Sequence, residues 1–476
     1  MEDKKFVEQL TDINKDLSQW YTDVITKADL CDYGPVKGTM VIKPYGYEIW
    51  EHIKEYMDAE FKKVGVKNAY FPMLIPESYL KKEADHVNGF APEVAVVTYA
   101  GGQELAEKLI VRPTSETIIC EMYSKWIKSY RDLPMVMNQW CNVVRWEKTT
   151  RPFLRTSEFL WQEGHTVQAT EEDAQKDVEK MLNIYKKVCA EDLAIPMLSG
   201  KKTEREKFAG AVATYGIEAV MRDGRCLQSG TSHNLGTNFA KAANIKFLNK
   251  NGEWEYGHST SWGTSTRLIG AVIMVHGDER GIKLPPKIAP IQVVIVPIAM
   301  HKEGVLAKAE EVADRLKAKG IRVFVDSTDA TPGWKFNQWE MKGVPVRLEI
   351  GPRDIENNNA VLVRRDTHEK TVASLDNLES TIENLLVDIQ NNMYKMALDF
   401  VEHNSRDVNS VEEMVECIDN KHVAMAYHCG CIECEQALKD ETGIQSRVII
   451  CDATNGEKCV RCGKPAKYKA YFAKQY

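Results

Sequence analysis

The sequence predicts a mixed α/β protein in three units: a large N-terminal unit (1–285), a compact α/β module (286–396) and a small cysteine-rich α+β unit (397–476). Three observations lead there. The chain has 476 residues, more than one ordinary domain of roughly 100–200 residues holds. The segment KLPPKIAP, 283–290, puts three prolines in eight residues, a cluster that breaks regular structure and suits a domain boundary. Of twelve cysteines, six crowd between Cys429 and Cys462, while Cys31, Cys120, Cys141, Cys189, Cys226 and Cys417 are scattered.

In the N-terminal unit, Ile49, Ile53, Tyr56, Met57, Phe61 and Val64 keep helical spacing and predict a helix over Tyr45–Val64. AYFPMLIP, 69–76, predicts a strand. Thr170 and Asp173 form a capping-box pattern that opens a second helix. Ala174, Val178, Met181, Leu182, Tyr185 and Val188 are its buried stripe, and Pro196 lies beyond its end. After the proline cluster, IQVVIVPI, IRVFVD, VPVRLEIG and AVLVRR read as strands. Helices are expected over Glu303–Lys319, stopped by Gly320, and over Leu375–Met396, with Leu378, Ile382, Leu385, Ile389 and Met393 on one face. Strands alternating with helices predict the α/β module.

A hydrophobic content of 43% and a charged content of 28% describe an ordinary globular chain. No run reaches the ~20 apolar residues that span a bilayer. The start MEDKKFVEQLTDINKD is charged and has no apolar leader core, so a cytoplasmic protein without a membrane segment is expected. The net charge of −7 argues weakly against a nucleic-acid partner, but binding needs only a local basic face. In a reducing compartment scattered cysteines are small buried hydrophobes, whereas a cluster points to a metal. Cys429 and Cys434 form C-x4-C, and Cys459 and Cys462 form C-x2-C. Two such pairs can close a tetrahedral zinc site. Cys431 lies inside the first pair, so spacing leaves the ligand choice open.

The segment Val143–His165 carries the chemistry. Arg145 and Glu147 alternate, a loop with Lys148, Arg151 and Pro152 follows, and alternation resumes through Phe159, Trp161 and Glu163. On a hairpin this puts two arginines, Arg145 and Arg155, beside aromatic rings on one face. Guanidinium forks match phosphate oxygens and an aromatic face stacks a purine. The same spacing equally suits a salt-bridged surface hairpin.

Resemblance separates these readings. The segment resembles motif 2 of the class II aminoacyl-tRNA synthetases. GVKNAYFPML resembles motif 1, with Pro72 at the subunit-interface position, and GTSTRLIGA resembles motif 3, with Arg267 as its arginine. RPTSE (112–116), FLRTSEFLWQEGH and LQSGTSHNLG resemble the prolyl-tRNA synthetase family, over nearly the whole chain. The likeness is closest to the archaeal and eukaryotic type with a C-terminal zinc-binding domain. The stretch between His165 and Gln228 leaves no room for the editing domain of the bacterial type.

The resemblance implies a class II antiparallel sheet with flanking helices, an anticodon-binding module and a zinc-binding tail. It places Thr114, Glu116, Arg145 and His233 around proline, and Arg145, Glu147, Arg155, Thr156, Gln228, Thr231, Ser265 and Arg267 around ATP; by their chemistry Phe159 and Trp161 are expected to wall the proline ring, and Phe159 to meet ATP as well. Gln228 is also expected near magnesium, and Arg145, Arg155 and Arg267 are the expected catalytic side chains. Cys429, Cys434, Cys459 and Cys462 are the expected zinc ligands, with Cys431 and Cys451 free. Expected partners are L-proline, ATP with magnesium, tRNA(Pro) and a second copy of the chain joined around Pro72. Lys148 and Arg151 are expected to guide the tRNA end, and Trp334, Lys335, Glu340, Lys342, Arg347 and Arg353 to meet unpaired bases. Glu158 and Trp146 read as structural. Alternatives are a threonyl or glycyl synthetase, or a non-catalytic synthetase-like RNA-binding protein.

Overall fold

The structure, a computed structural model, describes residues 10–86, 93–454 and 456–476. Residues 1–9, which carry part of the argument against a leader, lie outside the described residues. Among the described residues no helix is long and apolar enough to cross a membrane.

The N-terminal unit is organised by a seven-stranded sheet. Its strands are β1 (Lys67–Asn68), β2 (Met135–Val144), β3 (Glu158–Gln168), β4 (Leu198–Lys201), β5 (Ala213–Val220), β6 (Cys226–Gly236) and β7 (His258–Ser265). The spatial order is β1-β2-β3-β7-β6-β5-β4, antiparallel except for β1 with β2. Helix α1 (Pro44–Lys63) begins with proline in its first turn, where the missing N–H has no bond to lose. Ile49, Trp50, Ile53, Met57 and Phe61 are its buried stripe. Helix α2 spans Glu116–Trp126 and α3 spans Glu171–Glu191. Thr170 caps α3, its hydroxyl accepting from the Asp173 N–H at 3.1 Å, and the expected apolar stripe is buried.

Alpha-helices 1 and 3 cover one face of the sheet. Phe61 meets the rings of Trp262 on β7 and Tyr185 on α3 at 4.9 and 6.2 Å. Gly164 pairs with Trp262 in the register, and a Cβ there would collide with the indole. Strand side chains alternate between faces. Gln162 therefore bonds Tyr185 on the core side, while its odd-numbered neighbours on β3 face the other way. Helix α4 (Arg267–His276) follows β7 directly.

The strand expected over 69–76 is not continuous. Only Lys67–Asn68 and Leu74–Pro76 pair, with different sheets. Pro72 has no N–H for a ladder, and the Phe71 N–H donates to the Gln139 side chain instead.

The second sheet has the order β9-β8-β10-β11-β12, from β8 (Val293–Pro297), β9 (Val323–Val325), β10 (Val346–Ile350), β11 (Asn359–Arg364) and β12 (Lys370–Ser374). Beta-strands 9, 8 and 10 are parallel and the last two pairings antiparallel. Helix α5 (Val305–Lys317) is the expected charged helix, two residues shorter at each end. Helix α6 (Pro332–Met341) was not expected; its sequence signal was Thr331, which caps it, before Pro332 at the first position. Helix α7 (Leu378–Asn404) continues without a break past 396, because its apolar stripe carries on through Met393 and Ala397.

The tail is a mixed four-stranded sheet of order β13-β14-β16-β15, from β13 (Ser405–Asp407), β14 (Val423–His428), β15 (Gln445–Asp452) and β16 (Tyr468–Ala473). It carries α8 (Val411–Asp419) and α9 (Ile432–Thr442). Its own core includes Met414, Val423, Leu438, Val448 and Phe472.

Two buried ionic seams join the parts. Just past α4, Asp278 accepts two hydrogen bonds from Arg365, both at 2.7 Å, and lies 3.0 Å from Lys283. On β5, Glu218 accepts from Lys202 and, at 2.7 Å, from Arg447 of the tail.

Candidate active site

The sheet face turned away from α1 and α3 floors a cavity of about 320 Å³. Period-two alternation explains much of its lining, and Gln228, Gly230, Trp262 and Thr264 of the other parity reach it as well. Phe159, Trp161, Glu163 and His165 of β3, Ser229, Thr231 and His233 of β6, and Ser261, Gly263 and Ser265 of β7 all reach it. The register aligns them: His233 pairs with Ser261 and Ser265 with Trp161. Thr114 and Glu116 arrive from the start of α2, and Arg267 from the start of α4.

Arg145 sits just beyond the end of β2, where its N–H still donates to the Ser157 carbonyl at 2.8 Å. Its guanidinium lies 5.5 Å from the Phe159 ring centre and 5.2 Å from that of Trp161, and its Nε donates to the Pro113 carbonyl at 2.9 Å. The arginine is thus braced by rings and backbone. Arg267 is held by the Leu154 and Gln228 carbonyls, both at 3.0 Å. Burial, then the nearby charges of Arg145 and Arg155, lowers its value to about 10. It stays cationic at neutral pH. Two guanidinium groups, Arg145 and Arg267, on the wall of one cavity make a site prepared for a polyanion.

The cavity also holds buried carboxylates of opposite character. Glu163 falls to about 2: burial raises it, but the hydrogen bond and charge of His165 and the bonds from Ser115 outweigh burial. Its partners are His165 Nε2 at 3.0 Å, the Thr114 hydroxyl at 3.1 Å and the Ser115 N–H at 2.9 Å. Glu116 is pushed up to about 7 by burial first, with the Glu163 charge adding to it. One of its buried oxygens has no hydrogen-bond partner. An unsatisfied buried acceptor invites a donor from a ligand. Burial also lowers His233 to about 3, so its ring is neutral, held between the Thr214 and Thr231 hydroxyls at 3.0 Å each.

The structure brings Thr114, Glu116, Arg145, Phe159, Trp161, Gln228, Thr231, His233, Ser265 and Arg267 to this cavity. It does not bring Glu147, Arg155 or Thr156 to the wall. Arg155 is largely exposed and donates to Glu147 at 2.8 Å, and Thr156 is buried with its hydroxyl on the Glu158 carbonyl at 2.7 Å. Sequence reasoning missed Glu163 and His165 as site residues, although they continue the parity of Phe159 and Trp161. It also missed Glu206, Phe208, Thr214 and Trp262, which carry no local signal and are assembled by strand register.

Arg151 is not free to meet a ligand. Its guanidinium donates to the Tyr476 and Ser18 hydroxyls and to the Ser18 carbonyl at 2.8 Å. The chain end is pinned besides by Tyr476 N–H to the Cys226 carbonyl at 3.2 Å. Lys148 is exposed, 3.6 Å from Glu93. In the second unit most of the side chains expected to meet bases are engaged internally. Lys335 is buried and donates to the Asp326 carbonyl at 2.9 Å, Arg347 donates to Glu340 at 2.9 Å, and Lys342 pairs with Asp29 at 2.8 Å. Arg353 is exposed.

In the tail, the Cys429–Cys462 and Cys434–Cys459 sulfurs lie 3.6 and 3.9 Å apart. A tetrahedron with ~2.3 Å arms has edges of about 3.8 Å, so the donor set fits zinc. His428 joins Cys429, Cys434 and Cys459 within 4.8 Å, a neighbour that spacing did not single out; its Nε2 is buried without a hydrogen-bond partner. Cys431 and Cys451 are exposed.

Three family models match the chain: tRNA synthetase class II core domain (G, H, P, S and T) over 97–276, anticodon binding domain over 292–385, and prolyl-tRNA synthetase, C-terminal, over 411–476. The chain is 60% identical to the proline--tRNA ligase of Alkaliphilus oremlandii, covering all of this chain (100%) and 99% of the relative. It is 58% identical to that of Acetoanaerobium sticklandii, with 100% and 99% covered. With that of Clostridium novyi it shares 57% identity, with 99% of each covered.

Proposed function

We propose a function from one premise: the chain belongs to the class II prolyl-tRNA synthetases, the proline--tRNA ligases. On this reading it activates L-proline with ATP to prolyl-adenylate and pyrophosphate, then transfers proline to the 3′ end of tRNA(Pro). The observation that carries it is one cavity joining Arg145, braced on Phe159 and Trp161, with buried carboxylates, a neutral histidine and Arg267.

The prolyl carboxylate attacks the α-phosphorus and pyrophosphate leaves. The substrate is the nucleophile, so the protein supplies position and charge. Arg145 holds carboxylate and α-phosphate, and Arg267 neutralises the departing phosphates. Arg155 joins it on reorienting from Glu147, with Thr156 behind it. Phe159 stacks the adenine, Thr231 and Ser265 line the ATP side, and Gln228 meets the magnesium that accompanies ATP. Glu116 and Thr114 receive the secondary ammonium; Trp161 and His233 wall the ring. The terminal ribose hydroxyl of the tRNA then attacks the prolyl carbonyl and AMP leaves.

Further parts of the reading are the units 1–285, 286–396 and 397–476, and a homodimer formed around Pro72, supported by exposed Tyr70, Met73 and Leu74 beside it. Structural zinc at Cys429, Cys434, Cys459 and Cys462, a cytoplasmic location and the compact type without an editing insertion complete it. In that type cysteine or alanine, which differ from proline by only about 1–3 kcal/mol of apolar contact, is activated detectably.

Pyrophosphate exchange into ATP, measured across the twenty amino acids, tests the reading. Proline should dominate and Arg145→Ala should abolish exchange. Exchange preferring threonine or glycine, or surviving in Arg145→Ala, defeats it.

A further inference from the structure

The loop between β4 and β5 contributes Glu206 and Phe208 to the cavity wall. Phe208 lies 4.9 Å from the His233 ring, and its N–H donates to Thr214, which bonds His233 in turn. The placement of this loop therefore sets the shape of one side of the pocket. Much of what holds it comes from the tail rather than from the catalytic unit.

The holding group is Glu435, in the first turn of α9 and buried. Its Oε1 accepts from the Thr203 hydroxyl at 2.9 Å and from the Ser446 hydroxyl. Arg205 lies 3.9 Å from the same oxygen, donates through Nε to Gln436 at 2.8 Å, and donates to Glu206. Glu206 is thus tied, through one guanidinium, to two consecutive residues of α9. The seam is tight: a Cβ on Gly200 of β4 would run into the Ile449 carbonyl of β15. Thr203 in turn starts the turn that leads into Glu206 and Phe208, its carbonyl accepting from the Glu206 and Lys207 N–H groups at 3.1 and 2.9 Å.

We infer that Glu435 of the C-terminal unit is a positioning residue for the substrate pocket, fixing through Thr203 and Arg205 the loop that presents Glu206 and Phe208. The tail then acts on amino-acid binding without touching the amino acid. Glu435 directly follows Cys434, one of the clustered thiols, so the helix that supplies one thiol of the cysteine site also carries the clamp. The inference rests on the reading of this cavity as the proline site.

The test uses the full-length protein carrying Glu435→Ala, Glu435→Gln or Arg205→Ala. In proline-dependent exchange, Glu435→Ala should raise KM for proline about tenfold, the equivalent of one charge-assisted hydrogen bond, with the ATP KM and kcat nearly unchanged. Glu435→Gln keeps the acceptor oxygen and should restore most of the loss. Arg205→Ala combined with Glu435→Ala should do little more than either alone. Hydrogen exchange of the unliganded proteins supplies a readout independent of substrate: amides of 203–212 should exchange faster in Glu435→Ala. A KM within about twofold of the parent, with unaltered exchange at 203–212, overturns the inference. Faster loop exchange in a protein whose parent shows no proline-dependent activity would keep the clamp and sink the substrate reading instead.

Discussion

The two ionic seams invite comparison. Each sets one carboxylate between two cations, Asp278 between Arg365 and Lys283, and Glu218 between Lys202 and Arg447. They differ in where they land. Asp278 lies past the C-terminal end of α4, the helix whose opposite end carries Arg267. Glu218 lies on β5 and Lys202 leads into the loop that walls the cavity. Similar chemistry therefore serves different ends: one seam fastens the second unit behind the active site, and the other fastens the tail to the pocket itself.

The largest effect should follow from Glu218→Ala. It leaves Lys202 and Arg447 buried without their partner, a loss of about 3–5 kcal/mol, to be read by chemical denaturation. A loss below about 1 kcal/mol would show that the seam is not dry and would break the comparison.

Asp278→Ala should lower stability by about 2–3 kcal/mol, the loss of its charge-assisted hydrogen bonds from Arg365. KM for proline should stay at the parent value, because this seam does not reach the pocket. A raised proline KM would merge the two seams into one functional class.

Acid separates the parent from Asp278→Asn. Arg365 and Lys283 overcome burial and hold Asp278 well below its usual 3.8. A depressed folded-state value means its contribution is present above that usual value and is lost as pH falls below it. Parent stability should drop through this window, and Asp278→Asn should show a shallower drop in pH-dependent melting.

The smallest effect concerns the pocket side. Glu116, pushed up to about 7 by burial and Glu163, ionises as pH rises through neutrality. An ionised Glu116 holds an ammonium better, so KM for proline should fall a few-fold, about threefold, between roughly pH 6 and 8. Glu116→Gln should flatten the profile; an equally steep profile in that variant would clear Glu116 of the dependence.

Legibility in the sequence followed the range of the interactions. Arg145, Phe159 and Trp161 were readable because strand parity is local, and the same parity would have yielded Glu163 and His165. Helix α3 was readable from Thr170 and its stripe. The polar side chains of Gly333–Asp354 could not be sorted, because a lysine such as Lys335 or an arginine such as Arg347 looks identical in sequence whether it meets a base or a carbonyl or carboxylate of its own chain. Pro72 was weighed as an interface residue and overlooked as a strand breaker.

By itself the sequence determined the arginine-bearing hairpin, the alternation of helices and strands and the paired cysteines, since each depends on neighbours a few residues apart; the class II character of the hairpin came from its resemblance to a known motif. Only the tertiary structure decided that Phe208 and His233 share a wall, that His428 stands among the thiols, that Arg151 is occupied by Tyr476, and that Glu435 holds a loop more than two hundred residues away. These depend on strand register and on the docking of separate units, and a buried charge discloses its partner only once the chain has closed around it.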